Sequence, residues 1–436
     1  MAGMLSAKDN ELLTRVGPGT PMGEFLRRFW LPALLSDELP EADGDPIRTR
    51  TLGEDLVAFR DSNGQVGIVD AFCPHRRGPL FFGRNEECGL RCVYHGWKFD
   101  TSGQCIDMPS EPPESDFHQR LRVKAYPTYE LGGVIWIYMG PPEHQPARPP
   151  ALPFTLVPEH ERRGLKFLVE ANWLQCLEGE LDTAHVSFLH QTFGDDGTGL
   201  QTLVREDGYT NDRHPRLFAL DTDYGFVYGG RRAQAAGNFY WRVTQLLLPI
   251  YALIPSASGY TGGATIWMPI DDHHCWRYLI GGSRTFSDTS DAPLPPRRPI
   301  LPTEPGTFRF PDGAEIDTRL AVYRRSNRYG LDRQKQRTLN FTGIPFIPTQ
   351  DQAMTEGMGY ICDRTEEHLG TSDVAIIHMR RMMLRMLESF EKGVEPYAPM
   401  HPEIYRVQPL DVESDNSELP GVLQEYAEEA RMPLMV

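Results

Sequence analysis

The sequence is short of basic residues. Lys and Arg number 44 against 60 Asp and Glu in 436 residues, a net charge of −16, which argues against a chain whose main task is to coat nucleic acid or an anionic membrane surface. Any anionic ligand must therefore be held by locally placed arginines. A long apolar run is also missing: nothing approaches the ~20 residues of a membrane span. The opening segment MAGMLSAKDNELLTRVG carries Lys8, Asp9, Glu11 and Arg15 where a secretory signal needs an unbroken apolar stretch. Cysteine is scarce and odd in number, with seven in all: Cys73, Cys88, Cys92, Cys105, Cys176, Cys275 and Cys362. In a chain without a signal this favours a reducing cytoplasm, with free or metal-bound thiols instead of a disulfide framework. No glycine-rich dinucleotide fingerprint follows a strand and no flavin signature is present, so the chain does not take hydride from NAD(P)H itself.

What is present describes a soluble, loop-rich and strand-rich protein: 40 Gly, 37 Pro, 40% apolar and 24% charged residues. The length is near three times the ~150 residues of an average domain and predicts two domains, with one or three as the neighbouring values. Residues 1–45 read as a lead-in, helical over 8–36 around the Gly17-Pro18-Gly19 break. From about 46 to 140 the apolar period becomes two, and three hairpins are predicted: EDLVAFRD/QVGIVDAF about Asn63-Gly64, VYHGWKFD/QCIDM about Gly103, and KAYPTYE/VIWIYMG about Gly132-Gly133. The proline-rich segment 141–153 is a stiff linker. Residues 154–436 predict an α+β domain: a helix over 169–190, long strands in 218–232, 238–254 and 262–284, an irregular excursion at 285–312, and a helix from Ser372 to Phe390 after a Thr371/Ser372 cap.

Four of the seven cysteines lie between 73 and 105. Two of them join histidines as Cys73-Pro-His75 and Cys92-Val-Tyr-His95-Gly-Trp97. C-x-H followed by C-x-x-H closes a four-ligand set suited to zinc or iron. A zinc site more often pairs C-x-x-C with a helical H-x-x-x-H, whereas these two pairs sit beside predicted hairpins. Gly78 and Gly96 would let backbone N–H groups approach inorganic sulfide. The segment CPHRRGPLFFGRNEECGLRCVYHGWKFD resembles the Rieske [2Fe–2S] domain, in which two Cys hold one iron and two His the other. It reads C-P-H-R-R-G where related sequences usually read C-P-H-R-G. On that likeness Cys73, His75, Cys92 and His95 are the cluster ligands, and Cys88 and Cys105 are surplus thiols.

The second constellation is LVEANWLQCLEGELDTAHVSFLH. Trp173, Leu177, Leu181, Ala184 and Phe188 make an apolar helical stripe, while Asn172, Gln175, Glu178, Asp182 and His185 share another face. Buried polar groups must be paired or bind a metal. His190, five residues beyond His185, is turned about 140° away on a regular helix. The two can share one metal only if the helix ends or distorts after His185, and the Gly194 and Asp195-Asp196-Gly197 stretch points to an end nearby. Without such a break the pair is structural, and the chain would be an electron carrier or a zinc-stabilised binding protein.

Downstream of a Rieske motif, D-x-x-H-x-x-x-x-H resembles the catalytic domain of Rieske non-haem iron aromatic-ring-hydroxylating oxygenases, closest to the phthalate dioxygenase group. GPGTPMGE and QDQAMTEGMG extend the likeness over nearly the whole chain. The resemblance implies an all-β Rieske domain followed by a helix-grip-like catalytic domain with an antiparallel sheet and helices. It makes His185 and His190 ligands of a mononuclear non-haem Fe(II) with open positions for O2, and Asp182 the carboxylate bridging to a Rieske histidine of a neighbouring subunit. Asp351, in its Q-D context, is the expected third ligand, with Glu356 and Asp363 as alternatives. An aromatic carboxylate substrate needs arginine; Arg242 is the first candidate, and Arg205, Arg231 and Arg232 follow. Asp271-Asp272-His273-His274 is read as a turn, not a metal site. A separate NAD(P)H reductase with FMN and a [2Fe–2S] centre is implied, as is a head-to-tail trimer or a stacked hexamer. The expected reaction is cis-dihydroxylation of a phthalate-, isophthalate- or chlorobenzoate-like acid, with O-demethylation of a methoxylated, lignin-derived aromatic acid as the alternative.

Overall fold

The structure, a computed structural model, describes residues 5–193, 212–255, 263–282 and 301–431. Two compact units form: one draws on Val16–Pro149 and Pro305–Arg319, the other on Met1–Arg15, Pro150–Glu304 and Leu320–Val436. The division at Pro149 and Pro150 falls inside the proline-rich segment. Residues from Val16 onward thus group with the first unit, where the sequence reading had a separate lead-in running to residue 45.

The first unit is built of short antiparallel strands. Residues 8–36 are not helical throughout: helix Ala7–Thr14 belongs to the other unit, and in this one helix Pro21–Leu26 is followed by strand β1, Trp30–Leu35. A short continuous apolar run such as WLPALL suits a buried strand as well as a buried helix. Tertiary pairing decides it, because all six residues are buried and the segment lies against the strand Val134–Tyr138, with a bulge between Pro32 and Leu34. Strands β2 (Ile47–Thr51), β3 (Glu54–Arg60), β4 (Val66–Asp70) and β9 (Ala125–Tyr126) make one sheet in that order. The predicted Asn63-Gly64 turn joins β3 to β4, with Gly64 at φ +77 and Asp61 Oδ1 accepting from the N–H groups of Asn63 and Gln65. A second sheet runs β5 (Arg84–Glu86), β6 (Gly89–Arg91), β7 (Lys98–Phe99), β8 (Cys105–Asp107), and a third β1, β11 (Val134–Tyr138), β10 (Thr128–Leu131). Val57, Phe59, Val69, Leu80, Leu90, Trp97 and Phe99 form one core with Cys73 and Cys92. The excursion expected at 285–312 is, from residue 303, a hairpin of Thr303–Arg309 and Glu315–Ala321 turning at Asp312-Gly313. Arg48 pairs with Glu315 and Asp317, and Arg50 with Asp312, so charge and not apolar period secures its tip to β2.

The second unit carries an eight-stranded antiparallel sheet. Its strands are β12 (Arg163–Val169), β13 (Arg216–Thr222), β14 (Gly225–Ala233), β15 (Phe239–Leu247), β16 (Tyr251–Leu253), β17 (Ala264–Pro269), β18 (Cys275–Gly281) and β19 (Leu410–Ser414). They lie in the order β12-β18-β17-β16-β15-β14-β13, with β19 also against β15. Three helices matter to the site: α1 (Trp173–Glu180), α2 (Ile347–Gly357) and α3 (Val374–Glu391). The single helix predicted over 169–190 is three pieces: the end of β12, α1, and a 3-10 turn at His185–Ser187. Asn172 is the N-cap of α1, its side chain accepting from Leu174 N–H. Asp182 Oδ1 accepts from the N–H groups of Ala184 and His185, an Asx turn that competes with helix and stops it before the first histidine. At α3 the expected Thr371/Ser372 cap is a 3-10 turn, Thr371–Asp373, and Asp373 Oδ2 accepts from Gly370 N–H.

The polar stripe of α1 is largely structural. Gln175 donates to the carbonyls of Thr355 and Gly359 and accepts from Cys362 N–H. Glu178 is buried between Arg364, at 2.8 Å, and Arg380, at 2.6 Å; Arg380 also pairs with Glu367, and Arg364 donates to Asn10. Burial pushes the Glu178 carboxyl up, but the two guanidiniums outweigh it and hold it below the usual carboxylate range. Phe188, expected to be packed, is exposed because the helix has already ended. All seven cysteines are free. Among the described residues no helix is long and apolar enough to cross a membrane.

Candidate metal centres

The first site is made by two loops. The loop after β4 is closed by Cys73 N–H donating to Gly78 O and Arg77 N–H donating to Cys73 O. The loop between β6 and β7 is closed by Cys92 N–H donating to Trp97 O and Gly96 N–H to Cys92 O. Both turn on left-handed residues. Gly96, at φ +80, sits where a Cβ would lie 2.7 Å from Pro109, so only glycine fits. Arg77, at φ +57, is the second arginine of C-P-H-R-R-G, holding a conformation that glycine adopts without strain.

The loops bring Cys73, His75, Cys92 and His95 around one recess that Tyr94 and Trp97 also line. Both sulfurs are buried, the histidine rings meet edge-on at 4.4 Å, and His75 stacks on Trp97 at 4.2 Å. Two features fit a metal cluster. His75 Nδ1 is buried without a hydrogen-bond partner, which costs free energy unless a lone pair there is used. Burial, with Cys92 alongside, pushes the Cys73 thiol up to about 12, so a thiolate needs a cation beside it. Desolvation and then the charges of His75 and Arg76 lower His95, favouring the neutral ring that a ligand needs. The surplus thiols are occupied elsewhere: Cys105 is buried and Cys88 accepts from Asn63.

The second site gathers His185, His190 and Asp351, whose ligand-type atoms lie within 4.8 Å of one another. His185 Nε2 faces His190 Nε2 at 3.2 Å, and Asp351 Oδ1 lies 3.1 Å from His190 Nε2 and 3.8 Å from His185 Nε2. The end of α1 before His185 removes the 140° obstacle. The outer nitrogens set the tautomers. Gln350 Nε2 donates to Ile344 O at 2.9 Å, which turns its Oε1 toward His190 Nδ1 at 2.7 Å. His185 Nδ1 is 3.5 Å from Asp182 Oδ2. With a proton on each Nδ1, facing these acceptors, two Nε2 lone pairs and one carboxylate oxygen converge. That arrangement is repulsive without a cation and is the 2-His-1-carboxylate donor set of a non-haem iron site.

The surrounding charges agree with this. Glu180, Asp182 and Asp351 place three carboxyl groups about the histidines, with Arg277 paired to Glu180 and beside Asp351. Burial works against the Asp351 anion, but His190, Arg277 and His185 outweigh it and hold the carboxyl well below its usual range. Asp182 is likewise lowered: burial opposes its charge, and the His185 ring and backbone N–H groups prevail. Glu180 is raised by burial.

Of the alternative third ligands, Glu356 accepts from Tyr329 Oη, Gln352 and Glu170 N–H, and Asp363 caps Thr365; neither joins the histidines. Asp271 accepts from both His273 and His274 in the predicted turn. Among the arginines, Arg242 is buried on β15, and Arg232 is buried and donates to Thr183 O at 2.9 Å. Arg231 lies over the Phe239 ring and donates to Ser417 O. Arg205 lies outside the described residues. Gln350, Arg277 and Glu180 were missed in the sequence. Gln350 was readable as the neighbour of Asp351, and Arg277 as the charge in the otherwise apolar strand CWRYLI.

The comparisons with known proteins run over both sites. The Rieske [2Fe-2S] domain model matches residues 29–127, and the model described as LigXa C-terminal domain like matches residues 137–411. The first begins one residue before β1. Over 403 residues, 89% of this chain and 88% of the relative, the sequence is 40% identical to the phthalate 4,5-dioxygenase oxygenase subunit of Pseudomonas putida. Over 439 residues, 98% of this chain and 91% of the relative, it is 32% identical to the 5,5'-dehydrodivanillate O-demethylase oxygenase subunit of Sphingobium sp.. The crystal structure of dicamba monooxygenase bound to dicamba, 18% identical, has a similar fold, with a TM-score of 0.57 covering 85% of this chain and 100% of that one.

Proposed function

The chain belongs to the Rieske non-haem iron oxygenases, and from that premise we propose that it adds O2 to an aromatic carboxylate, phthalate-like or chlorobenzoate-like, to give a cis-dihydrodiol. The observation that carries this reading is the 40% identity, over 89% of the chain, to the phthalate 4,5-dioxygenase oxygenase subunit. When bound, the [2Fe–2S] cluster would supply single-electron transfer and the mononuclear iron would supply O2 activation.

The side chains divide the work. Cys73 and Cys92 would hold one cluster iron and His75 and His95 the other, while His185, His190 and Asp351 would hold the mononuclear iron. Asp182 orients His185 and hydrogen-bonds a cluster histidine of the neighbouring subunit in a head-to-tail trimer or stacked hexamer. A separate NAD(P)H reductase, containing FMN and a [2Fe–2S] centre, supplies the electrons. Arg242 holds the substrate carboxylate; its burial on β15 supports this, since a desolvated guanidinium binds an anion strongly.

O-demethylation of a methoxylated aromatic acid is the second reading, favoured by the 32% identity spanning 98% of the chain to a demethylase subunit. The test is a panel of aromatic acids turned over with a surrogate reductase and scored for diol against formaldehyde. Diol from a phthalate-like acid is expected; formaldehyde from methoxylated acids, with no diol, would replace the first reading by the second. The purified protein is expected to be red-brown, with about three irons and two sulfides per chain.

A further inference from the structure

Arg277 projects from β18 with a buried side chain, its guanidinium 4.8 Å above the Trp267 ring. Nη2 donates to Glu180 Oε1 at 3.2 Å, and the same oxygen accepts from Trp267 Nε1 at 3.0 Å. Nη1 lies 3.6 Å from Asp351 Oδ2, and neither Nη1 nor Nε has a hydrogen-bond partner. The two oxygens of Asp351 are thus divided: Oδ1 faces the histidine pair and Oδ2 faces a buried cation.

A carboxylate offers a metal one oxygen or two. Swinging Oδ2 toward the histidines would take one of its two carboxylate neighbours from a buried guanidinium whose Nη1 has no hydrogen-bond partner, which weakens the compensation of a buried charge. Arg277 cannot follow the movement, because Glu180 and the Trp267 ring hold its other edge. We propose that Arg277 is a positioning residue that makes Asp351 a one-oxygen ligand and so keeps one more position open at the metal. This rests on reading His185, His190 and Asp351 as the ligands, and goes beyond it by fixing how the third one binds.

The probe is Co(II), bound to the cluster-loaded chain with the cluster oxidised and diamagnetic, and followed by EPR and by affinity. Arg277→Met is expected to move the Co(II) signal toward a higher-coordinate form and to tighten binding about tenfold, since a nearby cation is lost and a second oxygen is gained. A merely structural role predicts the opposite sign, weaker binding. Because Arg277→Met strands Glu180, Arg277→Met/Glu180→Gln is measured beside it, and the same spectral shift is expected there. Arg277→Lys, which keeps a charge, is expected to restore the wild-type signal. An unchanged signal in both methionine variants overturns the proposal. His190→Ala, expected to abolish Co(II) binding, separates an error in the ligand assignment from an error in this inference.

Discussion

The recess around Cys73, His75, Cys92 and His95 and the cluster of His185, His190 and Asp351 solve different problems of assembly. The first collects its residues from two loops of one short stretch of chain, closed by backbone hydrogen bonds within each loop. The second joins a turn after α1 to a helix more than a hundred residues later, and its geometry depends on side chains: Asp182 and Gln350 behind the histidines, Arg277 behind the carboxylate. The first contains no carboxylate, and its thiols become anions only beside a metal. The second gathers three carboxyl groups and a guanidinium about its histidines before any metal arrives. Local backbone closure makes a site robust and readable; a side-chain scaffold makes one tunable, because each outer contact can be changed without removing a ligand.

The sharpest way to break this comparison is to remove one ligand from each site. Cys92→Ser is expected to abolish the visible cluster spectrum and reductase-driven turnover while Co(II) still binds at His185, His190 and Asp351; Asp351→Asn should lose Co(II) binding and turnover while keeping the cluster spectrum. Loss of both metals in either variant, measured by metal analysis, would mean that the two sites are not independent. Next in size, Asp182→Asn is expected to leave both metals bound and lower coupled turnover by about 100-fold. Retained turnover would exclude the bridging role. Gln350→Leu frees the His190 ring to change tautomer and should weaken metal binding about 10-fold, with the cluster spectrum untouched. The smallest effect is on stability. In the cluster-free chain Cys73 is raised to about 12 from an ordinary value near 9, so the folded state favours its thiol form. That contribution is complete below pH 9 and is lost as the pH climbs toward 12. A fall of a few degrees in Tm over this window is expected without the cluster and not with it, and a scan of Tm against pH checks the sign.

The contrast also explains what could be read from the sequence. Cys73-Pro-His75 and Cys92-x-x-His95 were legible because ligand spacing and loop geometry are both local, as was the Asn63-Gly64 hairpin. His185 and His190 were visible as a pair, but the helix that seemed to separate them was not real: Asp182 ends it by bonding backbone N–H groups, a competition that helical periodicity does not register. β1 was misread because WLPALL is apolar throughout, and only its pairing with VIWIY makes it a strand. The hairpin at 303–321 was hidden because its tip is secured by Arg48 and Arg50, not by an alternating pattern. Arg277 stood out only as a charge in an apolar strand; its meaning lies in contacts with Glu180 and Asp351, far apart in the chain.

The ion pairs of Glu178 with Arg364 and Arg380 touch no ligand, yet they bear on how the second site opens. Glu178 lies on the helix just before His185, and Arg364 follows the helix that carries Asp351. Breaking the pair strands a buried charge, at a cost of about 3–5 kcal/mol. Neither ligand-bearing segment can therefore fray alone, and native-state hydrogen exchange should find the amides of both protected to a similar free energy, opening as a single unit. The metal would then be released in one concerted event, its residence time set by a knot of charge that it never meets.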